Sequence, residues 1–170
     1  KPLAKLQTLE TLDAGFSQIN GTGLKYLRDL PKLKALILRD TNTSDAGLKA
    51  IGQLKHLQVL NLHAVPLTDE GLAALSQLRD LRVLSLLATR VGDRGLAHIV
   101  QCRELRSLNL GHAKNRVTDE GVRLVATLPH LETLHLEAAP ITAKSLDHLE
   151  AVKSLKSLNI ISTTLSDRDV

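Results

Sequence analysis

Leucine recurs along this chain on two periods that take turns. In "LQVLNL" (57–62), Leu60 and Leu62 occupy alternate places, the spacing of a strand with one buried face. In "GLAALSQL" (71–78), Leu72, Leu75 and Leu78 fall three apart, one stripe of a short helix. The frame L-x-x-L-x-L then begins again. Its starts are Leu9, Leu33, Leu57, Leu81, Leu105, Leu131 and Leu155, at steps of 24 residues except for 26 between Leu105 and Leu131, where "GHAKNRV" holds the insertion. A strand followed by a helix at every step, with successive strands side by side, predicts a parallel sheet with helices on its other face. Helices are wider than the roughly 4.8 Å between strands, so the stack must bend with the strands inside. The predicted fold is an α/β solenoid of about seven repeats with a concave sheet and a convex layer of short helices.

A second phrase repeats with the same period. "PLTDEGL" (66–72) returns as "VTDEGV" (117–122), and its parts recur around Ser44, Asp93 and Ser166. Adjacent carboxylates raise the question of acid–base or metal chemistry. Neighbours i and i+1 on a helix point in different directions, so Asp69 and Glu70 do not converge on one atom. Thr68, Thr118, Ser44, Ser166 and Asn20 stand where a loop enters a helix, the place for a side-chain oxygen that caps free N–H groups. Asp45, Asp69, Asp93, Asp119 and Asp167 follow in the first turn, where the helix dipole favours a negative charge. The glycines at 23, 47, 71, 95 and 121 share that turn and predict close approach of each helix to its neighbours, with Ser145 in their place in the sixth repeat. The phrase reads as structural.

"LKALILRDTNTSDAGLKAIGQL" and "LQVLNLHAVPLTDEGLAALSQL" resemble leucine-rich repeats of the type found in ribonuclease inhibitor and the F-box leucine-rich-repeat proteins, and still more those of bacterial proteins with T-D-x-G-L repeats. The resemblance covers essentially the whole chain. Members of the family commonly place Asn or Cys in the turn after the strand. This chain has Ser17, Thr41, Val65, Thr89, Ala139 and Thr163 there, so an asparagine ladder is not expected. Leu3 and Leu6 align with Leu27 and Leu30, and Val170 with Leu146, so neither end reads as a polar cap. Residues 1–170 are expected to form one domain belonging to a longer array.

If the frame leucines point inward, the alternating residues line the concave face in three rows. One runs Thr11, Ala35, Val59, Val83, Ser107, Thr133, Ser157. The next runs Asp13, Ile37, Asn61, Ser85, Asn109, His135, Asn159. The last runs Gly15, Arg39, His63, Leu87, Gly111, Glu137, Ile161. The candidate protein-binding residues are Ile37, Arg39, Asn61, His63, Ser85, Leu87, Asn109, His135 and Glu137, amide and hydroxyl groups interleaved with apolar ones. Arg favours interface hot spots, whereas aromatic anchors are scarce in a chain with one Tyr, one Phe and no Trp. The insertion His112–Arg116 is expected to project from one edge with two cations, a second place where specificity can sit.

Leucine makes up about a fifth of the residues, so the core is aliphatic. The net charge of +4 is scattered rather than blocked, and no apolar run reaches the roughly 18 residues of a membrane span. Lys34, Arg82, Arg106 and Lys156 share the strand-entry position, but Glu10 and Glu132 interrupt that row and no aromatics stand by for base stacking, which disfavours nucleic acid. His63 and Ser85 lie on a diagonal of roughly 7–8 Å, beyond the reach of a nucleophile and its base. No His, Cys, Asp or Glu spacing makes a metal-ligand set, no phosphate-binding glycine loop occurs, and the single Cys102 replaces a core leucine. Catalytic residues, metals and cofactors are therefore not expected, and nothing in the pattern assigns a compartment. The resemblance implies a non-enzymatic module that binds a protein or peptide on its concave face within a larger polypeptide. The alternative is a targeting arm of an enzyme whose catalytic domain lies elsewhere, such as a ubiquitin-ligase substrate receptor or a bacterial effector.

Overall fold

The computed structural model describes residues 3–112 and 116–169. Seven strands of three residues each, β1 (Thr11–Asp13), β2 (Ala35–Ile37), β3 (Val59–Asn61), β4 (Val83–Ser85), β5 (Ser107–Asn109), β6 (Thr133–His135) and β7 (Ser157–Asn159), form one parallel sheet in chain order. Pairing follows the repeat residue for residue: Leu12, Leu36, Leu60, Leu84, Leu108, Leu134 and Leu158 are successive partners. The insertion after β5 therefore leaves the register intact. Backbone bonds continue the ladder past the strands, as in Phe16 N–H to the Arg39 carbonyl and Ala64 N–H to that of Leu87, both 2.8 Å.

The helices α1 (Asp45–Ile51), α2 (Asp69–Leu72), α3 (Asp93–Ile99), α4 (Asp119–Val125) and α5 (Ala143–Glu150) pack side by side on the opposite face. The third repeat departs in part from the expected α-helix, α2 continuing as a 3-10 helix over Ala73–Gln77, and the first departs throughout, since Leu24–Asp29 is a 3-10 helix. Its entry, "NGTGL", replaces Thr-Asp with Asn20 and Gly21, so it lacks an acidic first turn and carries two residues of poor helix propensity. Between the layers the frame leucines are buried, with Leu36, Leu57, Leu60, Leu62 and Leu81 at 0% exposure. A leucine so placed stabilises by about 1.5–3 kcal/mol relative to an exposed one. Cys102 is also in this core; its thiol donates to the Leu75 carbonyl, and burial pushes its pKa up to about 11, outweighing the pull of Arg79. It is an inert thiol.

The T-D-x-G phrase is structural, as expected, but its bonding differs from simple helix capping. Among the described residues only Thr118 and Thr142 accept from their own α-helices, from Glu120 N–H and Lys144 N–H at 3.3 and 3.4 Å, and Asn20 accepts from Thr22 N–H at 3.1 Å. Ser44 and Thr68 make no side-chain cap, and Ser166 donates its hydroxyl to Asp169. The stronger bonds run between repeats. The Asp45 carboxylate accepts the Thr68 N–H and hydroxyl at 3.2 and 2.7 Å; Asp93 does the same for Thr118 and Asp119 for Thr142. Asp69 accepts the N–H of Gly92, which stands where the fourth repeat lacks its threonine. The glycine makes room for this ladder: a Cβ on Gly71 would overlap the Asp45 carboxylate, one on Gly95 that of Asp69, and one on Gly121 that of Asp93. Where Ser145 replaces glycine, its hydroxyl donates to Asp119 at 2.6 Å, so the contact becomes a hydrogen bond. Burial raises the pKa of Asp119, but the bonds from Ser145 and Thr142 outweigh it and hold the carboxyl below the usual range.

The turn that ends each strand carries a feature the residue types do not announce. Phe16, Asp40, Ala64, Ala88, His112, Ala138 and Ser162 occupy equivalent places, all with φ between 53° and 76°, and none is glycine. A left-handed non-glycine residue costs about 1–2 kcal/mol. The inter-repeat ladder holds it, as does a hydroxyl in four of the turns: Ser17, Thr41, Thr89 and Thr163 each donate to the carbonyl three residues back, at 2.6 to 2.8 Å. These are positions at which family members commonly carry Asn or Cys, and here the bond stays within the repeat.

Candidate functional site: the concave face

The strand pairing brings the three concave rows together as spacing predicted. Asn61 is beside Ser85, Ser85 beside Asn109, and Asn109 beside His135. The middle row is half-buried from Ile37 onward, and its amides have a fixed polarity. The Oδ1 atoms of Asn61, Asn109 and Asn159 each accept the backbone N–H two residues on, from His63, Gly111 and Ile161, all at 3.0 Å. Asp13 does the same for Gly15. A backbone N–H can only donate, so the amide oxygen is engaged in its own turn and the NH2 group is the outward hydrogen-bonding group of each side chain. The row from β3 to β7 thus offers hydrogen-bond donors at Asn61, Asn109 and Asn159, with Ser85 and His135 between them, neighbouring strands being about 4.8 Å apart.

The third row divides the face in two. At the β1 end, Arg39 turns away from His63 and lies across Gly15 toward the first repeat, where its guanidinium meets Asp13 at 3.3 Å and the Phe16 ring at 5.3 Å from the centroid. Its Nε is buried without a partner among the described residues. Phe16, 70% exposed, was not among the candidate residues, since a lone aromatic outside the frame gives no periodic signal. Toward β6, Leu87 and Glu137 flank Gly111, where an added Cβ would lie 3.1 Å from each, and His112 stands 4.0 Å from the Glu137 carboxylate. Arg39 is thus engaged within the chain, while Ile37, Leu87 and Val83 supply half-exposed apolar surface.

The strand-entry row is a charge ladder. Glu10 pairs with Lys34 at 3.3 Å, and Glu132 sits between Lys156 and Arg106, 2.7 Å from each, which holds its carboxyl below the usual range. Of the four cations that made this row look basic, only Arg82 has no ion pair among the described residues. At the loop edge, Arg116 joins the fourth repeat by donating its N–H to the Val91 carbonyl at 3.0 Å, and with Arg90, Arg94, Asp69 and Glu70 it lines a shallow cleft of mixed charge. The rest of the insertion, Ala113 to Asn115, lies outside the described residues. No group of three or more His, Cys, Asp or Glu able to hold a metal occurs among the described residues, and no helix there is long and apolar enough to cross a membrane.

A family model described as a leucine rich repeat matches residues 101–126. No curated protein sequence matches at a significant level. Among solved structures, internalin C2 from Listeria monocytogenes is similar over 97% of this chain, with 24% identity and a TM-score of 0.79. A second internalin of that organism, inlF, is similar over 98% at 25% identity and a TM-score of 0.53. The chain spans 67% and 58% of the lengths of those two proteins.

Proposed function

We propose that this chain, a leucine-rich-repeat protein, is a recognition module whose concave face binds an extended protein or peptide segment rich in hydrogen-bond acceptors. The observation that supports this reading is the oriented amide row. Asn61, Asn109 and Asn159 keep their oxygens in the turn and present N–H groups outward, so a partner is recognised by carbonyl or carboxylate oxygens laid across the strands. Leu87 and Ile37 add the apolar contact that hydrogen bonds alone do not supply, and His135 and Glu137 fix the polarity of the far end. Groups pre-ordered on a rigid sheet lose little entropy on binding, which favours recognition without aromatic anchors.

Selection of binding peptides from a displayed random library, followed by titration, tests this. The selected sequences are expected to lose affinity by tenfold or more on Leu87→Asp with His135→Ala, and to keep it on Lys49→Glu, a convex-face change. Binders indifferent to the concave pair and sensitive to Lys49→Glu would move the site to the helices and end the proposal.

A further inference from the structure

We infer that the edge of the solenoid where helices end and strands begin binds an acidic protein segment. In the first four repeats this edge comprises residues 28–34, 52–58, 76–82 and 100–106. They hold eight Lys and Arg, all exposed, against Asp29, Asp80 and Glu104, so the edge carries +5 in a chain whose total is +4. The opposite edge of the same repeats, 14–22, 38–46, 62–70 and 86–94, holds three cations against five acids. Stacking the repeats therefore gives the concave sheet one basic flank.

Acids of the chain do not consume this charge. Arg28, Lys34 and Arg106 each lie beside a carboxylate, whereas Lys32, Lys55, Arg79, Arg82 and Arg103 have no ion pair among the described residues. Lys55, Arg79 and Arg103 share a repeat position that is completed by Pro31, Pro129 and Lys153, and an acid never stands there. Arg79 Nη1 donates to the Gln101 carbonyl at 3.1 Å, Arg103 Nη1 to that of Thr127 at 3.4 Å and Lys55 Nζ to that of Gly52 at 3.0 Å. A carbonyl accepts a hydrogen bond without cancelling the charge, so these heads are held along the edge and remain cationic. Helix ends favour a cation. Lys32 and Arg82, however, have no side-chain partner among the described residues, so contacts within the chain do not account for their charge.

The make-up of the edge favours protein over other polyanions. Asp29, Asp80 and Glu104 interrupt the cations; a nucleic acid, charged at every unit, meets them, whereas a peptide can set neutral residues opposite. No Phe, Tyr or Trp stands in these segments for a base to stack on. Nor is there apolar surface to enter a bilayer, since Leu30, Leu54 and Leu78 are buried. Arg79 and Arg103 keep Nη2 and Nε for a carboxylate, whose two oxygens match the guanidinium fork.

The test titrates two fluorescent peptides into the chain, one of alternating glutamate and serine, the other of glutamine and serine. The glutamate peptide is expected to bind at about 50 mM salt, at least tenfold more tightly than the glutamine peptide, and to weaken at least tenfold at about 300 mM. Lys32→Glu with Arg82→Glu breaks no bond of the fold and should weaken binding at least tenfold at an unchanged melting temperature. The neutral pair Lys32→Gln with Arg82→Gln should weaken it by a smaller factor. Lys49→Glu with Lys144→Glu makes the same change in net charge away from the edge and should cost less than about threefold. So should the concave pair Leu87→Asp with His135→Ala, which separates this edge from the concave site. Absence of binding at low salt, equal affinity for the glutamine peptide, or equal losses in the two charge-reversed pairs would overturn the inference. So would tighter binding of a single-stranded oligonucleotide, or of vesicles of phosphatidylserine and phosphatidylcholine, that is lost with Lys32→Glu and Arg82→Glu. The edge would then serve a different class of partner.

Discussion

Two edges of this solenoid carry polar residues at every repeat, and they differ in what those residues touch. At the entry to the helices, the same types return in most repeats and satisfy one another: the aspartate of one repeat accepts from the threonine of the next, as Asp45 does from Thr68 and Asp93 from Thr118, over the glycine that makes room for it. On the concave face, the middle row changes from Asp13 to Ile37, Asn61, Ser85, Asn109, His135 and Asn159, and among the described residues its side-chain bonds, the Asp13–Arg39 pair aside, reach only two residues along their own turn. A repeating position that keeps its residue type is serving the stack, since each unit meets an identical neighbour. One that varies while keeping its geometry is open to something outside the stack. The Thr-Asp edge is accordingly the structural one, and the Asn-rich row is the one on which the proposed recognition rests.

The contrast can be broken or sharpened by substitution, beginning with the leucines that serve both edges. Leu60→Ala, in the fully buried layer beneath the Asn row, should destabilise by about 2–5 kcal/mol in urea titration. A loss below 1 kcal/mol would mean that the register does not bury this frame position. Next comes the ladder. Asp119→Ala removes the acceptor of Thr142 N–H, Thr142 Oγ1 and Ser145 Oγ, and should cost about 1–3 kcal/mol. The same carboxyl makes the ladder sensitive to acid. Because its folded pKa lies below the unfolded value, its contribution is fully present above the ordinary carboxylate range and is lost as the pH falls through the folded pKa, below about pH 4. The fall in wild-type stability between pH 5 and pH 2 should therefore be shallower in Asp119→Asn; parallel curves would remove Asp119 from the ladder's energetics. The smallest effect belongs to the concave face. Ser85→Ala, a middle-row hydroxyl without a protein partner among the described residues, should change stability by no more than about 0.5 kcal/mol. A loss equal to that of Asp119→Ala would erase the distinction between the two edges.

Much of this was legible in the chain, and for a physical reason. Burial repeats with the fold, so Leu36, Leu60 and Leu84 announce both the strand and its register, and a parallel pairing with one partner per repeat has no alternative register that keeps them inside. The identity of the concave rows followed from alternation. Less legible were bonds between residues whose types repeat for two reasons at once. Thr68 and Asp69 suit a helix start so well that capping was the obvious reading, and only the neighbouring helix shows that the threonine answers the aspartate 23 residues earlier. Arg39 was placed correctly in its row, but a long side chain has many rotamers, and its choice of Asp13 and Phe16 over His63 depended on the gap at Gly15. The left-handed turn carried little sign, since alanine, serine and phenylalanine fill the place in all but the Asp40 and His112 turns, where glycine or asparagine would have marked it.

By itself, the sequence determined the repeat, the strand register, the buried layer and the faces on which every other residue stands, because those follow from one periodic requirement, the removal of leucine from water. Only the tertiary structure decided which way the polar groups point: the aspartates to the next repeat, the amide oxygens to their own turn, Arg39 to the first repeat. Hydrogen bonds are directional and short-ranged, so their partners are settled by distances of a few tenths of an ångström that exist only once the repeats are stacked.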